Sequence, residues 1–286
     1  MAIGRMLFKN FIFLGLGVLA GLDVRSPLAA APPSLINIRR LPDGTRFGLI
    51  GEKGSRPAPT LFVFQGGLET LNQEPVFTEV PRLLLPHGFI SVALDAPAHG
   101  EDHRRNEPPE LAGWRARIEE GDDFVAAFNT RASKVLDYLI KEGWTDPSRV
   151  AVCGTSRGGF LAFHFAATDQ RIRLAAGISP VSDLMDLREF KGTRYRAEAE
   201  KYSLIELAPR LAHRPVWLSI GNHDLRVNTD RTIAFARALV AAAATPQGAN
   251  AMIPVDLLVG PTPGHSKIDH ASELLAAWIL KQFGSE

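Results

Sequence analysis

Six short apolar runs, at 61–64, 89–94, 150–153, 174–178, 216–220 and 255–259, recur along the chain with longer helix-patterned segments between them. Strands covered on both faces read as unbroken apolar runs, and parallel neighbours need helical crossovers. The pattern therefore predicts an α/β protein with a mostly parallel, twisted sheet and helices on both faces. The helical segments are expected at 76–85, 124–141, 158–167, 230–243 and 271–283. In the second of these, Phe124, Phe128, Ala132, Val135, Leu136 and Leu139 recur at three- and four-residue steps, which turns one face toward the sheet. Upstream, segments 35–39 and 46–50 flank Leu41–Pro42–Asp43–Gly44–Thr45, whose Pro-Asp-Gly order favours a tight turn. An antiparallel hairpin should open the sheet.

At 286 residues and 45% apolar composition the chain can bury one sizeable core, with room for a small cap. Two stretches break the alternation, 101–123 and 184–209. Both are charged, and they contain Trp114 and Tyr195. They are expected either to roof a site at the sheet edge or to be surface excursions. The 32 basic and 31 acidic residues nearly cancel, which excludes the basic footprint of a nucleic-acid binder. Cys153 is the single cysteine, so no intramolecular disulfide can form, and its apolar setting marks a buried strand residue.

The run ending at Cys153 feeds directly into Gly154–Thr155–Ser156–Arg157–Gly158–Gly159. A Gly-x-Ser-x-Gly between strand and helix mounts a serine hydroxyl on a sharp turn, with glycines where side chains would strike backbone. Serine is a weak nucleophile until a base takes its proton, and that base needs a carboxylate to fix its tautomer. Asp224, just past the run at 216–220, is the expected acid, and His265, on Gly260–Pro261–Thr262–Pro263–Gly264–His265 after the last run, is the expected base. Asp183 competes for the first role; His223 and His270 compete for the second. An oxyanion hole would take the backbone N–H of Arg157 and that of Gly67 in Gln65–Gly66–Gly67–Leu68, with Gly66 or Leu68 one residue away as alternatives. The Arg157 side chain is expected in an ion pair with a nearby acid such as Asp95. His99, Asp102 and His103 follow no metal-ligand spacing, so neither metal nor cofactor is expected.

With these residues in place the chain resembles the α/β-hydrolases from the hairpin near Leu35 to the last helix near Phe283. Asp146–Pro147–Ser148–Arg149–Val150 leading into the serine motif, and Gly221-x-x-Asp224-x-x-Val227 after it, are similar to the dienelactone-hydrolase and prolyl-oligopeptidase branch. In the same turn, Asp95–Ala96–Pro97–Ala98–His99–Gly100 resembles a structural loop of such hydrolases. Members of the first kind often carry cysteine where Ser156 stands, and those of the second carry an N-terminal propeller that this chain has no room for. Both departures point away from dienelactone and peptide substrates. The resemblance implies a compact serine esterase, and the leading expectation is an exported hydrolase of small carboxylic esters that works through an acyl-enzyme. A peptidase or amidase with the same groups, and a hydrolase-fold protein that binds without chemistry, are the rival readings.

Arg5 and Lys9 precede an apolar run at 11–22, followed by Ser26–Pro27–Leu28–Ala29–Ala30–Ala31. This pattern is that of an export signal, and the run is short for a membrane span. Residues 1–31 are expected to be a signal peptide and 32–286 the catalytic domain. The protein would then be periplasmic or secreted, or membrane-anchored if the segment stays uncut.

Overall fold

The computed structural model describes residues 35–212, 214–244 and 254–284, so the expected signal segment lies outside the described residues. The strands are β1 (Asn37–Arg40), β2 (Arg46–Ile50), β3 (Ala58–Phe64), β4 (Ile90–Ala93), β5 (Thr145–Thr155), β6 (Ile172–Ile178), β7 (Val216–Gly221) and β8 (Val255–Gly260). They form one sheet in the order β1-β2-β4-β3-β5-β6-β7-β8. The pairs β1/β2 and β2/β4 are antiparallel and the rest are parallel. The hairpin turn closes where expected: Leu41 N–H donates to Thr45 O at 2.9 Å, and Gly44 sits at φ 87°.

The helices are α1 (Leu68–Gln73), α2 (Glu79–Leu84), α3 (Glu110–Glu119), α4 (Phe124–Lys141), α5 (Arg157–Thr168), α6 (Arg196–Glu200), α7 (Ala208–Leu211), α8 (Thr229–Ala243) and α9 (Ala271–Phe283). Side-chain alternation along the strands divides the core in two. From β3, Leu61 and Val63 pack with Leu68, Leu84 and Leu275 of α1, α2 and α9. Phe62 and Phe64 point the other way, into a layer with α3, α4, α5 and α8. There the Phe64 ring meets Phe128 of α4 edge-on at 4.8 Å, and Phe62 meets Phe165 of α5 at 5.4 Å. Helix α4 starts where Asp123 accepts the Ala126 N–H at 2.9 Å, a side-chain cap ahead of the apolar face.

Three expectations change. Strand β5 reaches back to Thr145 and β3 to Ala58; polar residues extend the apolar runs because Thr60 Oγ1 and Thr145 Oγ1 hydrogen-bond across the buried pair at 2.9 Å. The helix expected at 76–85 is divided into turns at Pro75–Phe77 and Leu85–His87 around α2, since prolines at 75, 81 and 86 remove donors along the segment. Helix α1, over a stretch for which the sequence predicted no helix, begins right after Gly67, where the Asp95 carboxylate accepts the Leu68 N–H at 2.9 Å.

Residues 101–123 and 184–209 pack on one another, with Arg115 donating to the backbone oxygens of Glu189 and Lys191. Trp114 is fully buried, and its indole N–H donates to Pro97 O at 2.6 Å. Leu184, Leu187, Phe190, Leu204 and Leu207 enter the main core.

His164 on α5 is buried in this layer and hydrogen-bonds the Tyr202 carbonyl at 2.9 Å through Nε2. Burial outweighs that hydrogen bond and brings its pKa from 6.5 down to about 4. The folded state holds the ring neutral, whereas the unfolded chain protonates near the ordinary value. Its contribution is therefore complete above pH 6.5 and is lost as the pH falls toward 4. Urea unfolding should show stability declining across that window. In His164→Gln the slope should shrink by one proton, about 1.4 kcal/mol per pH unit. An unchanged slope would place the pH dependence elsewhere.

Candidate active site

Ser156 joins β5 to α5 at φ 55° and ψ −116°, a backbone conformation that L-residues rarely adopt and that costs about 1–3 kcal/mol. Packing on both sides holds it there. A Cβ at Gly158 would lie 1.8 Å from Phe64 O, and one at Gly154 would lie 2.1 Å from Gly158 C. Both glycines are required by close backbone approach. The Ser156 N–H donates to Ile178 O at 2.9 Å, and its carbonyl accepts from Val181 N at 3.0 Å, tying the turn to β6.

Asp224 follows β7. Its Oδ1 accepts the backbone N–H groups of Arg226 at 2.9 Å and Val227 at 3.2 Å, which fixes the carboxylate independently of His265. Asp224 Oδ2 lies 2.7 Å from His265 Nδ1, and His265 Nε2 lies 2.9 Å from Ser156 Oγ. Burial alone would raise the Asp224 pKa, but the His265 hydrogen bond and charge, with the two backbone donors, bring it below the usual carboxylate range. Asp224 is buried while the His265 side chain is 29% exposed. The histidine loop is shaped by Thr262, whose Oγ1 donates to Gly264 O at 2.7 Å, with Gly264 at φ 110°. The structure thus brings Ser156, His265 and Asp224 into one hydrogen-bonded chain.

The competing residues lie apart from that chain. Asp183 accepts from Met185 N at 2.8 Å and orders its own loop. His270 is 79% exposed beside Glu273 at 3.9 Å, and His223 is exposed. At the β3 end, the Leu68 N–H is engaged by Asp95, leaving Gly66 and Gly67 as the backbone donors of that turn. Arg157 opens α5, where a first-turn N–H has no intrahelical acceptor.

The ion pair expected between Arg157 and Asp95 is corrected. Arg157 Nη1 pairs with Glu110 Oε2 at 2.8 Å and with His99 Nε2. Asp95 is taken by Arg46 at 3.0 Å and by the Leu68 N–H, a buried arrangement that still leaves its pKa raised because desolvation dominates. His99 is buried, donates from Nδ1 to Pro97 O at 2.7 Å, and is kept neutral, its pKa lowered chiefly by burial.

A cavity of about 390 Å³ opens at Ser156 and His265, walled by Val76 and Phe77, with Gln65, Arg157 and Lys267 at its polar side. Among the described residues, 101–123 and 184–209 contribute none of its lining. Sequence reading missed these walls. Val76 and Phe77 stood inside an expected helix, although Pro75 marked a turn. Lys267 is anchored to Glu79 and to Ser272 at 3.1 Å, partners that no local signal reveals.

With the geometry in hand, residues 131–286, more than half of the chain, match the prolyl oligopeptidase family, and the chain belongs to it. Fold and family together define an α/β-hydrolase of the prolyl-oligopeptidase-like branch. Acylamino-acid-releasing enzyme 2 of Oryza sativa subsp. japonica is 26% identical over 213 residues, covering 65% of this chain and 26% of that protein. The chain spans only 26–29% of the length of the curated relatives it matches. Among solved structures, a cold-adapted esterase from an Arctic intertidal metagenomic library superposes with a TM-score of 0.60 at 18% identity, over 86% of this chain and 92% of that one. A puromycin-hydrolyzing peptidase from Mycobacterium tuberculosis gives 0.62 at 20% identity, over 90% of this chain and 42% of that one. At these identities the likeness shows the fold.

Proposed function

We propose that the chain is a serine hydrolase that cleaves small carboxylic esters through an acyl-enzyme. Ser156 is the nucleophile, His265 the general base and then the general acid, and Asp224 the group that orients His265. The observation that carries this reading is the chain Ser156 Oγ to His265 Nε2 at 2.9 Å and His265 Nδ1 to Asp224 Oδ2 at 2.7 Å. His265 Nε2 takes the hydroxyl proton as Oγ attacks the ester carbonyl. The backbone N–H groups of Arg157 and Gly67 receive the developing oxyanion. Collapse expels the alcohol, protonated by His265, and water then releases the acid by the same steps. Family membership and the rice relative favour amide cleavage as a second reading, and turnover of a matched anilide against the ester separates the two.

Ser156→Ala should abolish ester hydrolysis with the fold retained, a loss on the order of a million-fold in kcat. Asp224→Asn should lower kcat far more than Asp183→Asn, because Asp183 caps its own loop and pairs with Arg231 but makes no contact with His265. Retained turnover in the first variant, or a larger loss at Asp183 in the parallel kinetics, overturns the assignment.

Short acyl groups suit the cavity. Val76 and Phe77 also line a separate small cavity of about 20 Å³, bounded by Val63, Val80 and Ile178, which is too small for a long acyl chain. Rates over a p-nitrophenyl ester series should peak from acetate to butyrate and fall by octanoate, with no jump at the solubility limit. A maximum at long chains or activation at an oil–water interface would indicate a lipase instead.

We further propose that residues 1–31 direct export, on the strength of Arg5, Lys9 and the run at 11–22. Made with its full N-terminus in a Gram-negative bacterium, the protein should be recovered outside the cytoplasm, beginning between residues 21 and 32. A soluble cytoplasmic pool that retains Met1 would refute this.

A further inference from the structure

The ionisable side chains lining the cavity at Ser156 are Arg157, His265 and Lys267, and among the described residues no carboxylate lines it. The two permanent cations are each balanced from outside the cavity wall, Arg157 by Glu110 and Lys267 by Glu79. These pairs differ in what they leave free. Lys267 gives its ammonium to both Glu79 and Ser272. The Arg157 contacts all converge on Nη1, which meets His99 Nε2 and Glu110 Oε2. Its Nη2 and Nε donate to no partner among the described residues, although the side chain is only 23% exposed. A guanidinium is a planar fork that matches a carboxylate with two parallel donors, and such charge-assisted pairs are the stronger class of hydrogen bond. Glu110, at 59% exposure, is a solvent-screened counter-charge and leaves Nη2 and Nε without a close counter-charge.

We propose that Arg157 is a specificity-determining residue, and that the preferred substrates are esters carrying a free carboxylate, bound by Nη2 and Nε of its side chain. Val76 and Phe77 supply the apolar wall for the methylenes between that carboxylate and the scissile carbonyl. The inference rests on the serine-esterase reading above and adds the charge of the substrate to it.

The test compares p-nitrophenyl hydrogen adipate with p-nitrophenyl hexanoate, a chain-matched pair differing in the terminal charge, with spontaneous hydrolysis subtracted. In the wild type kcat/KM for the adipate should exceed that for the hexanoate by about tenfold, the scale of one charge-assisted contact. The readout is the ratio, so a change in the rate on both esters does not disturb it. Arg157→Gln should bring the ratio to about one. Glu110→Gln, which removes the counter-charge and keeps the arginine, should raise it. A wild-type ratio of one or less overturns the proposal, as does a ratio unchanged in Arg157→Gln. If Arg157→Gln does not fold, a ratio unchanged or lowered in Glu110→Gln overturns it alone. Hexanoate cleavage that disappears in Ser156→Ala, without adipate preference, defeats this inference and leaves the esterase reading standing. Cleavage of neither ester defeats both.

Discussion

A Cβ on Gly158 would lie 1.8 Å from the carbonyl oxygen of Phe64, so the first turn of α5 can settle against the end of β3 only because residue 158 has no side chain. That contact sets the height of the helix over the sheet edge, and Gly154, equally intolerant of a Cβ, sets the strand beneath it. Between them Ser156 is forced to φ 55°, which lifts its side chain out of the turn. The strain is local and the forces opposing it are distributed. Phe160, Phe163 and Phe165 on α5 are all fully buried, so the helix cannot withdraw to relax the turn without exposing several aromatic side chains at once.

Charge inside the fold serves the loops around that edge. Arg46, with its side chain 9% exposed, is shared between Asp95 and Glu69, and Arg117, at 3%, between Asp102 and Glu107. Arg46–Asp95 and Arg117–Glu107 are buried on both sides; such pairs add little net stability, but removal of one partner strands the other at a cost of about 3–5 kcal/mol. They therefore fix which loop conformation is allowed. Asp95 shows the economy of this: one carboxylate receives Arg46 and starts α1 through the Leu68 N–H, which fixes the end of the Gly66–Gly67 turn.

Much of this was readable in advance, for reasons that differ between elements. The strand runs, the hairpin and the helix with Phe124 and Phe128 on one face announce themselves because burial imposes a period on the sequence. The order Ser156, Asp224, His265 followed from the strand ends, since loops at the carboxyl edge of a parallel sheet converge. What stayed hidden was pairing over distance. Sequence shows that 101–123 is charged, and that suggested a roof over the site or a surface excursion; it does not show that Arg117 turns inward to Asp102 and Glu107 while Trp114 fills the core. Arg157 was expected beside Asp95 on the same grounds, and finds Glu110 because Arg46 already occupies Asp95. The start of α1 was invisible because its cap comes from a residue 27 positions later.

The histidine is anchored unlike its partners. Asp224 is sealed and held by backbone donors, whereas His265 stands on an exposed loop secured on its far side, where Ser179 Oγ donates to Ser266 O at 3.2 Å and Lys267 binds Glu79 and Ser272. The ring therefore faces two environments: Nδ1 meets a desolvated carboxylate and Nε2 faces Ser156 and the open cavity. A low-dielectric contact on one nitrogen strengthens its hold on the tautomer, and access on the other lets a leaving alcohol or a water reach the same atom in turn. An enclosed histidine would keep the first property and lose the second. The partial exposure of His265 is thus the feature that allows a single imidazole to serve both halves of the proposed reaction.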